Sequence, residues 1–164
     1  MMAVSKDQVT IVIPTLNEEK AIGVVLDELK RHGYKNVLVV DGYSKDDTVK
    51  IANLNGARVL YQHSRGKTGA LRTAVEHVDT PYLVVMDGDA TYDPGGIERL
   101  LAHADRYDEV IGYRAEGRKN IPWLHRLGNW LITRAFNLLM GTDLSDVCSG
   151  MWLLRTERAR ELEL

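Results

Sequence analysis

An α/β fold, a mostly parallel sheet flanked by helices on both faces, follows from three observations. Short β-branched runs alternate along the chain with segments whose apolar residues recur at helical spacing. The strand-like runs are continuously apolar, as strands covered on both faces are. No internal repeat, low-complexity tract or linker interrupts the 164 residues, so a single domain over 1–164 is expected, long enough for one core.

Val9-Thr10-Ile11-Val12-Ile13 opens the series as a buried strand ended by Pro14. Ala21, Ile22, Val25, Leu26 and Leu29 predict a helix over 18–32, with Gly33 as its stop. A second buried strand covers 36–40 and ends at Asp41-Gly42. Ser44 or Asp46 then caps a helix to about Asn55. Gly56 closes that helix, and 57–61 is a third strand. Gly66-Lys67-Thr68-Gly69 reads as a glycine-bearing loop before a helix over 70–77. A fourth strand, 82–86, ends at Asp87-Gly88-Asp89. Pro94 starts a helix over 95–104, and 109–112 is a fifth strand. A long amphipathic helix, open to a break, covers 121–140. The last strand, 147–154, is bulged at Gly150. The chain stops in the first turns of a helix over 155–164, so a C-terminally truncated domain is expected.

The formal net charge of −2 gives no global attraction to nucleic acid. With one cysteine, Cys148, no intramolecular disulfide is possible. The first residues are too polar for a signal peptide, and no stretch approaches the roughly 20 apolar residues of a membrane span. The expected location is cytoplasmic, including the cytoplasmic face of a membrane. Arg114, Arg118, Lys119, Arg126 and Arg134 gather after the fifth strand, close to Trp123, Leu124, Leu127, Trp130, Leu131 and Phe136. Basic residues interleaved with tryptophan suit a helix lying in a membrane interface, so peripheral contact through 121–140 is expected alongside the alternative of core packing.

In such sheets ligands bind beyond the carboxyl ends of the strands. The first strand delivers Pro14-Thr15-Leu16-Asn17-Glu18 to that edge, the second Asp41, and the fourth Asp87 and Asp89. Alternate residues of extended backbone point to one side, so the two carboxylates can approach one hard cation. Mg²⁺ and Mn²⁺ favour one or two protein carboxylates, with phosphate oxygens completing the shell. A carboxylate at Asp41 can accept from a nucleobase N–H. Lys67 reads as a cation carried toward phosphate. The Asp87-Gly88-Asp89 run also fits the first motif of haloacid-dehalogenase-like phosphatases, with Asp87 as nucleophile, although three strands precede it here.

Six segments together resemble family 2 glycosyltransferases. They are Val12 to Glu19, Val39 to Thr48, Gly66 to Arg72, Met86 to Pro94, Val110 to Arg114 and Asp146 to Met151. The polyprenyl- or dolichyl-phosphate sugar synthase branch is the most similar. The resemblance implies a GT-A fold, a nucleotide-sugar donor, an Mg²⁺ or Mn²⁺ cofactor and inverting transfer to an acceptor such as a lipid phosphate. It implies nucleoside binding by Pro14, Leu16, Glu18 and Asp41, with Asp87 and Asp89 on metal and diphosphate. Arg114 and Arg126 would hold phosphate, and Ser149 and Gly150 would lie by the donor sugar or acceptor. Thr91 stands where many dolichyl-phosphate mannosyltransferases have Gln, and Gly42 follows Asp41 where a second Asp is common. A donor-binding fragment without catalysis is the alternative reading.

Overall fold

The computed structural model describes residues 4–112, 123–147 and 149–162, and of 123–127 the backbone alone. After a 3₁₀ turn at Lys6–Gln8 the strands are β1 (Val9–Thr15), β2 (Val37–Asp41), β3 (Arg58–Tyr61), β4 (Tyr82–Met86), β5 (Glu109–Ile111) and β6 (Met151–Arg155). The helices are α1 (Ile22–Arg31), α2 (Thr48–Leu54), α3 (Gly66–His77), α4 (Gly96–Leu101), α5 (Trp123–Met140) and α6 (Thr156–Glu161). One six-stranded sheet has the order β3-β2-β1-β4-β6-β5.

β1 pairs in parallel with β2 and β4, and β2 with β3. β6 runs antiparallel between β4 and β5, which makes the sheet mostly rather than wholly parallel. From β1 the chain works outward through β2 to β3, then crosses back to place β4 on the other side of β1. That reversal opens a crevice beyond the carboxyl ends of β1 and β4, where open α/β sheets bind ligands.

The strand residues alternate between two buried clusters. On one face Ile11, Ile13, Val39, Val84, Met86 and Leu153 meet Ile22, Val25 and Leu29 of α1 and Ile97 and Leu100 of α4. On the other, Val12, Leu38, Val40, Leu83 and Val85 meet Ala70 and Ala74 of α3 and Ala159 of α6. Both faces are therefore covered, as the continuously apolar strands imply.

Four of the boundaries that differ from the sequence expectation bear on the site. β1 continues through Pro14 to Thr15. Ile11 donates to Asn36 and Thr15 accepts from Gly42, so the odd residues of β1 bond β2. The absent N–H of Pro14 thus falls on the β4 side, where the ladder has already ended at Val12↔Val85. α1 begins at Ile22 rather than at 18; the Glu18 amide is held by the Thr48 hydroxyl, 2.8 Å, and its carbonyl accepts from the Ala21 and Ile22 amides in a turn ahead of the helix. Gly66-Lys67-Thr68-Gly69 is the first turn of α3 and not a loop. A Cβ on Gly69 would overlap the backbone carbonyl of Ser64, so glycine sets where the helix can start. β6 begins at Met151, leaving Ser149 and Gly150 as its approach. The long helix is continuous over Trp123–Met140.

Candidate active site

The loops after β1 and β2 are laced together by side chains. Asp41 is fully buried, and its carboxylate accepts from the Ser44 amide (2.7 Å), the Ser44 hydroxyl (2.5 Å) and the Thr15 hydroxyl (3.3 Å). The Ser44 hydroxyl in turn accepts from the Asn17 amide, and the Asn17 carboxamide oxygen from the Lys45 amide, each at 2.8 Å. Asp46 accepts from both the amide and the hydroxyl of Thr48, so it satisfies the start of α2 while Ser44 serves Asp41 instead. Pro14 lies within β1, Leu16 is 57% exposed just beyond it, and Glu18 is half-buried. Asp41 thus sits at the predicted edge, with its carboxylate turned into the loop it organises.

Backbone strain collects at this edge. Among the described residues three non-glycines have positive φ: Asn17 (58°), Tyr43 (66°) and Ala90 (59°). They follow the carboxyl ends of β1, β2 and β4. Such conformations persist where surrounding contacts enforce them, and they gather at ligand sites.

Beyond β4, a Cβ on Gly88 would stand 3.1 Å from both Ile13 and Thr15 side chains. Glycine lets this segment press against β1 without displacing those side chains. The Asp89 carboxylate is exposed and accepts from the Thr91 amide, 2.9 Å. Asp87 is partly buried and pairs with the Lys67 ammonium, 2.5 Å, from the first turn of α3. Its other oxygen lies against Gly150, where a Cβ would overlap it. The antiparallel register explains that neighbour. Met86 pairs with Met151, so the next step along both chains sets Asp87 beside Gly150. The Gly150 amide donates to the Tyr92 hydroxyl, 2.5 Å.

The electrostatics match a site that wants positive charge. The Glu18 carboxyl is pushed above its ordinary value, first by desolvation and then by the negative charges of Asp89, Asp46 and Asp87. The Lys67 ammonium on Asp87 already stands where a cation is favoured. Among the described residues no three acidic, histidine or cysteine groups converge as a complete ligand set. A donor set of two carboxylates fits Mg²⁺ or Mn²⁺ shared with phosphate oxygens, and does not fit an all-protein cage.

The structure therefore gathers Pro14, Leu16, Glu18, Asp41, Lys67, Asp87, Asp89, Ser149 and Gly150 along one sheet edge. Arg114, the Arg126 side chain and Cys148 lie outside the described residues. Thr48 and Tyr92 build the site and were not singled out from sequence, and Ser44, expected as a helix cap, bonds Asp41 instead; all three fall inside the segments that carry the family resemblance.

Glycosyl transferase family 2, as a family model, matches residues 10–162, nearly the whole chain. The chain belongs to glycosyl transferase family 2. It is 41% identical over 148 residues to glycosyltransferase AglJ of Haloferax volcanii, covering 88% of this chain and 49% of that protein. It is 38% identical over 161 residues to a dolichyl-phosphate hexose transferase of the same organism, covering 96% of this chain and 70% of the relative. The family 2 chain thus spans about half the length of the first of these relatives and rather more of the second. Among solved structures it is similar to glucosyl-3-phosphoglycerate synthase from Mycobacterium tuberculosis in complex with Mn²⁺, UDP-glucose and phosphoglyceric acid. The TM-score is 0.75 at 24% identity, over 91% of this chain and 57% of that one. That likeness fixes the fold as GT-A.

The acidic field makes a stability prediction. Because the folded Glu18 carboxyl holds its proton above the ordinary value of 4.5, the native state binds more protons than the unfolded chain as pH rises from there. Stability contributed at this position is greatest at low pH and falls as pH rises through the raised value. Glu18→Gln is expected to flatten that fall and to leave the metal-free protein at least as stable as wild type at neutral pH. The effect is small because the group is partly exposed. Urea denaturation across this range checks it, and parallel pH profiles for the two proteins would contradict it.

Proposed function

We propose that this chain is the donor-binding and catalytic domain of a metal-assisted, inverting hexosyltransferase. In this reading it moves a sugar from a nucleoside-diphosphate donor, UDP- or GDP-linked, to a polyprenyl or dolichyl phosphate. The observation that carries the reading is Asp87 and Asp89 at the crevice between β1 and β4, with a cationic side chain already drawn onto Asp87.

Asp87 and Asp89 would hold the Mg²⁺ or Mn²⁺ ion. A bound divalent cation supplies charge neutralisation for the diphosphate and for the departing nucleotide. Pro14, Leu16, Glu18 and Asp41 frame the nucleoside end, Asp41 by holding the β1 and β2 loops in shape. Lys67, once released from Asp87, remains in reach of phosphate. Arg114 and Arg126 are assigned to phosphate by resemblance, with Arg114 adding fixed positive charge as the nucleotide leaves. Ser149 and Gly150 border the metal site on the side where sugar and acceptor would meet. A phosphate acceptor is already anionic and asks little of a general base.

The names of the two Haloferax volcanii relatives support a glycosyl-transfer role, and one supports a dolichyl-phosphate acceptor. Among the described residues no helix is long and apolar enough to cross a membrane. α5 nonetheless exposes Trp130, Leu131, Ile132, Leu138, Leu139 and Met140, with the Arg134 guanidinium 5.8 Å from the Trp130 ring centre. Exposed apolar side chains with Arg134 among them would suit peripheral contact with the membrane that carries a lipid acceptor.

Calorimetry with UDP-glucose, UDP-N-acetylglucosamine and GDP-mannose, each with and without Mn²⁺, tests the donor half. At least one is expected to bind, and only with the metal. Transfer to dolichyl phosphate in detergent tests the other half. Failure to bind any of the three donors in the presence of metal would overturn the reading, and binding without transfer or hydrolysis would reduce it to a donor-binding module.

A further inference from the structure

The turn that carries the two carboxylates is pinned at both ends on one residue, Gly150, which leads into β6. The turn enters at Asp87, whose Oδ2 lies on the spot where a Gly150 side chain would stand. It leaves at Tyr92, whose hydroxyl accepts from the Gly150 amide, 2.5 Å. The edge of the Tyr92 ring also comes within 3.1 Å of that spot. Tyr92 and Gly150 are 58 residues apart in sequence, so only the tertiary fold brings them together.

Between the two pins the turn is held by local contacts. The β4–β6 ladder ends at Met86↔Met151, one residue before Asp87. The Asp89 carboxylate is exposed and accepts from the Thr91 amide within the turn. Ala90 has φ 59°, a left-handed conformation that persists where surrounding contacts enforce it. Tyr92 can supply such a contact from a firm base. It is half-buried, and its ring packs on the core cluster that α1 and α4 share with the sheet.

We propose that Tyr92 is a positioning residue for the metal: its hydroxyl closes the 87–92 turn onto Gly150 and so sets the spacing of the Asp87 and Asp89 carboxylates. The inference rests on the reading of those two residues as metal ligands given above and deepens it. Tyr92 acts through the carboxylates and not by contact with metal or donor. A turn released at its far end lets Asp89 drift relative to Asp87, which Lys67 and Gly150 still hold. A small hard cation that demands near-ideal geometry tolerates such drift poorly.

The test is calorimetry of UDP and GDP binding over a series of Mn²⁺ concentrations, for wild type, Tyr92→Phe and Tyr92→Leu. Tyr92→Phe removes the acceptor of the Gly150 amide and keeps the ring. It is expected to raise the half-saturating Mn²⁺ concentration about tenfold, the lower end of the loss for a group that orients a metal ligand. Saturating Mn²⁺ should restore wild-type nucleotide affinity, and the metal-free melting temperature should hold. Tyr92→Leu should show the same Mn²⁺ shift with a lower melting temperature, because the ring is lost as well. A wild-type Mn²⁺ requirement in Tyr92→Phe overturns the positioning role while the metal assignment stands. So does a loss that saturating Mn²⁺ leaves in place, or a shift confined to Tyr92→Leu. Nucleotide binding by wild type that is indifferent to Mn²⁺ overturns the metal assignment and the positioning role with it.

Discussion

Asp87→Asn and Asp89→Asn should each remove the metal-dependent part of nucleotide-sugar binding, with a loss of at least about 100-fold. Loss of a group that merely orients a metal ligand costs 10- to 100-fold, and loss of the ligand itself costs more. Among the described residues no third acidic, histidine or cysteine group converges with the two carboxylates into a fuller ligand set. Neither can be replaced by a neighbour. Glu18 feels their charge, but it stands on the β1 loop. The fold should be insensitive to either change. Asp87 is paired with Lys67 at a partly exposed position, where an ion pair contributes about 1 kcal/mol or less, and exposed Asp89 accepts from Thr91 in its own turn. Calorimetry with donor and Mn²⁺, beside thermal denaturation without either, separates the two quantities. Metal-dependent affinity retained in both variants would remove the metal assignment.

Gly150→Ala should impair the same site from the opposite strand. An added methyl would overlap the Asp87 carboxylate and stand 3.1 Å from the Tyr92 ring. The backbone has little room to retreat, because the Gly150 amide is bonded to Tyr92 and Met151 is paired with Met86. The Asp87 side chain is the part that can move, and it moves away from both Lys67 and the metal position. Displacements near 1 Å at reacting groups cost on the order of 100-fold, so a tenfold or greater fall in metal-dependent donor affinity is expected, with a larger fall in turnover. Melting temperature should change little, since the strain is relieved by a side chain at the rim. Wild-type affinity in Gly150→Ala would show that Asp87 and Gly150 are not coupled in the bound state.

The strands were legible in the sequence because burial on both faces leaves an unbroken apolar signature, as in Val37–Asp41 and Tyr82–Met86. The carboxyl edge was legible for the same reason, since each run ends in polar residues at that edge. What sequence pattern could not carry is pairing at a distance. Nothing local in Ser149-Gly150 says that it lies against Asp87, because that depends on β6 inserting antiparallel beside β4. Nor does Asp41 announce that its carboxylate faces inward. Its partners Ser44 and Thr15 come from the loop after β2 and from the end of β1, and the β1–β2 register brings Thr15 to it. The Lys67 turn was misread as a loop because its two glycines resemble a loop. One of them, Gly69, is demanded by the carbonyl of Ser64 packed on the helix, which no periodicity reveals.

The Lys67–Asp87 pair has a consequence for the order of events. Without ligands Asp87 is already paired from within, so a bare cation arriving there would have to displace an ammonium group, and its affinity would be lowered accordingly. A diphosphate arriving with the cation gives that ammonium group somewhere to go. The exchange then conserves ion pairs, with lysine passing from carboxylate to phosphate as the metal takes its place. On the proposed donor-site reading, cation and donor would thereby be linked, each raising the other's affinity by the same factor. The ion pair would act as a counter-ion lock, opened by the metal–nucleotide complex more readily than by either component alone.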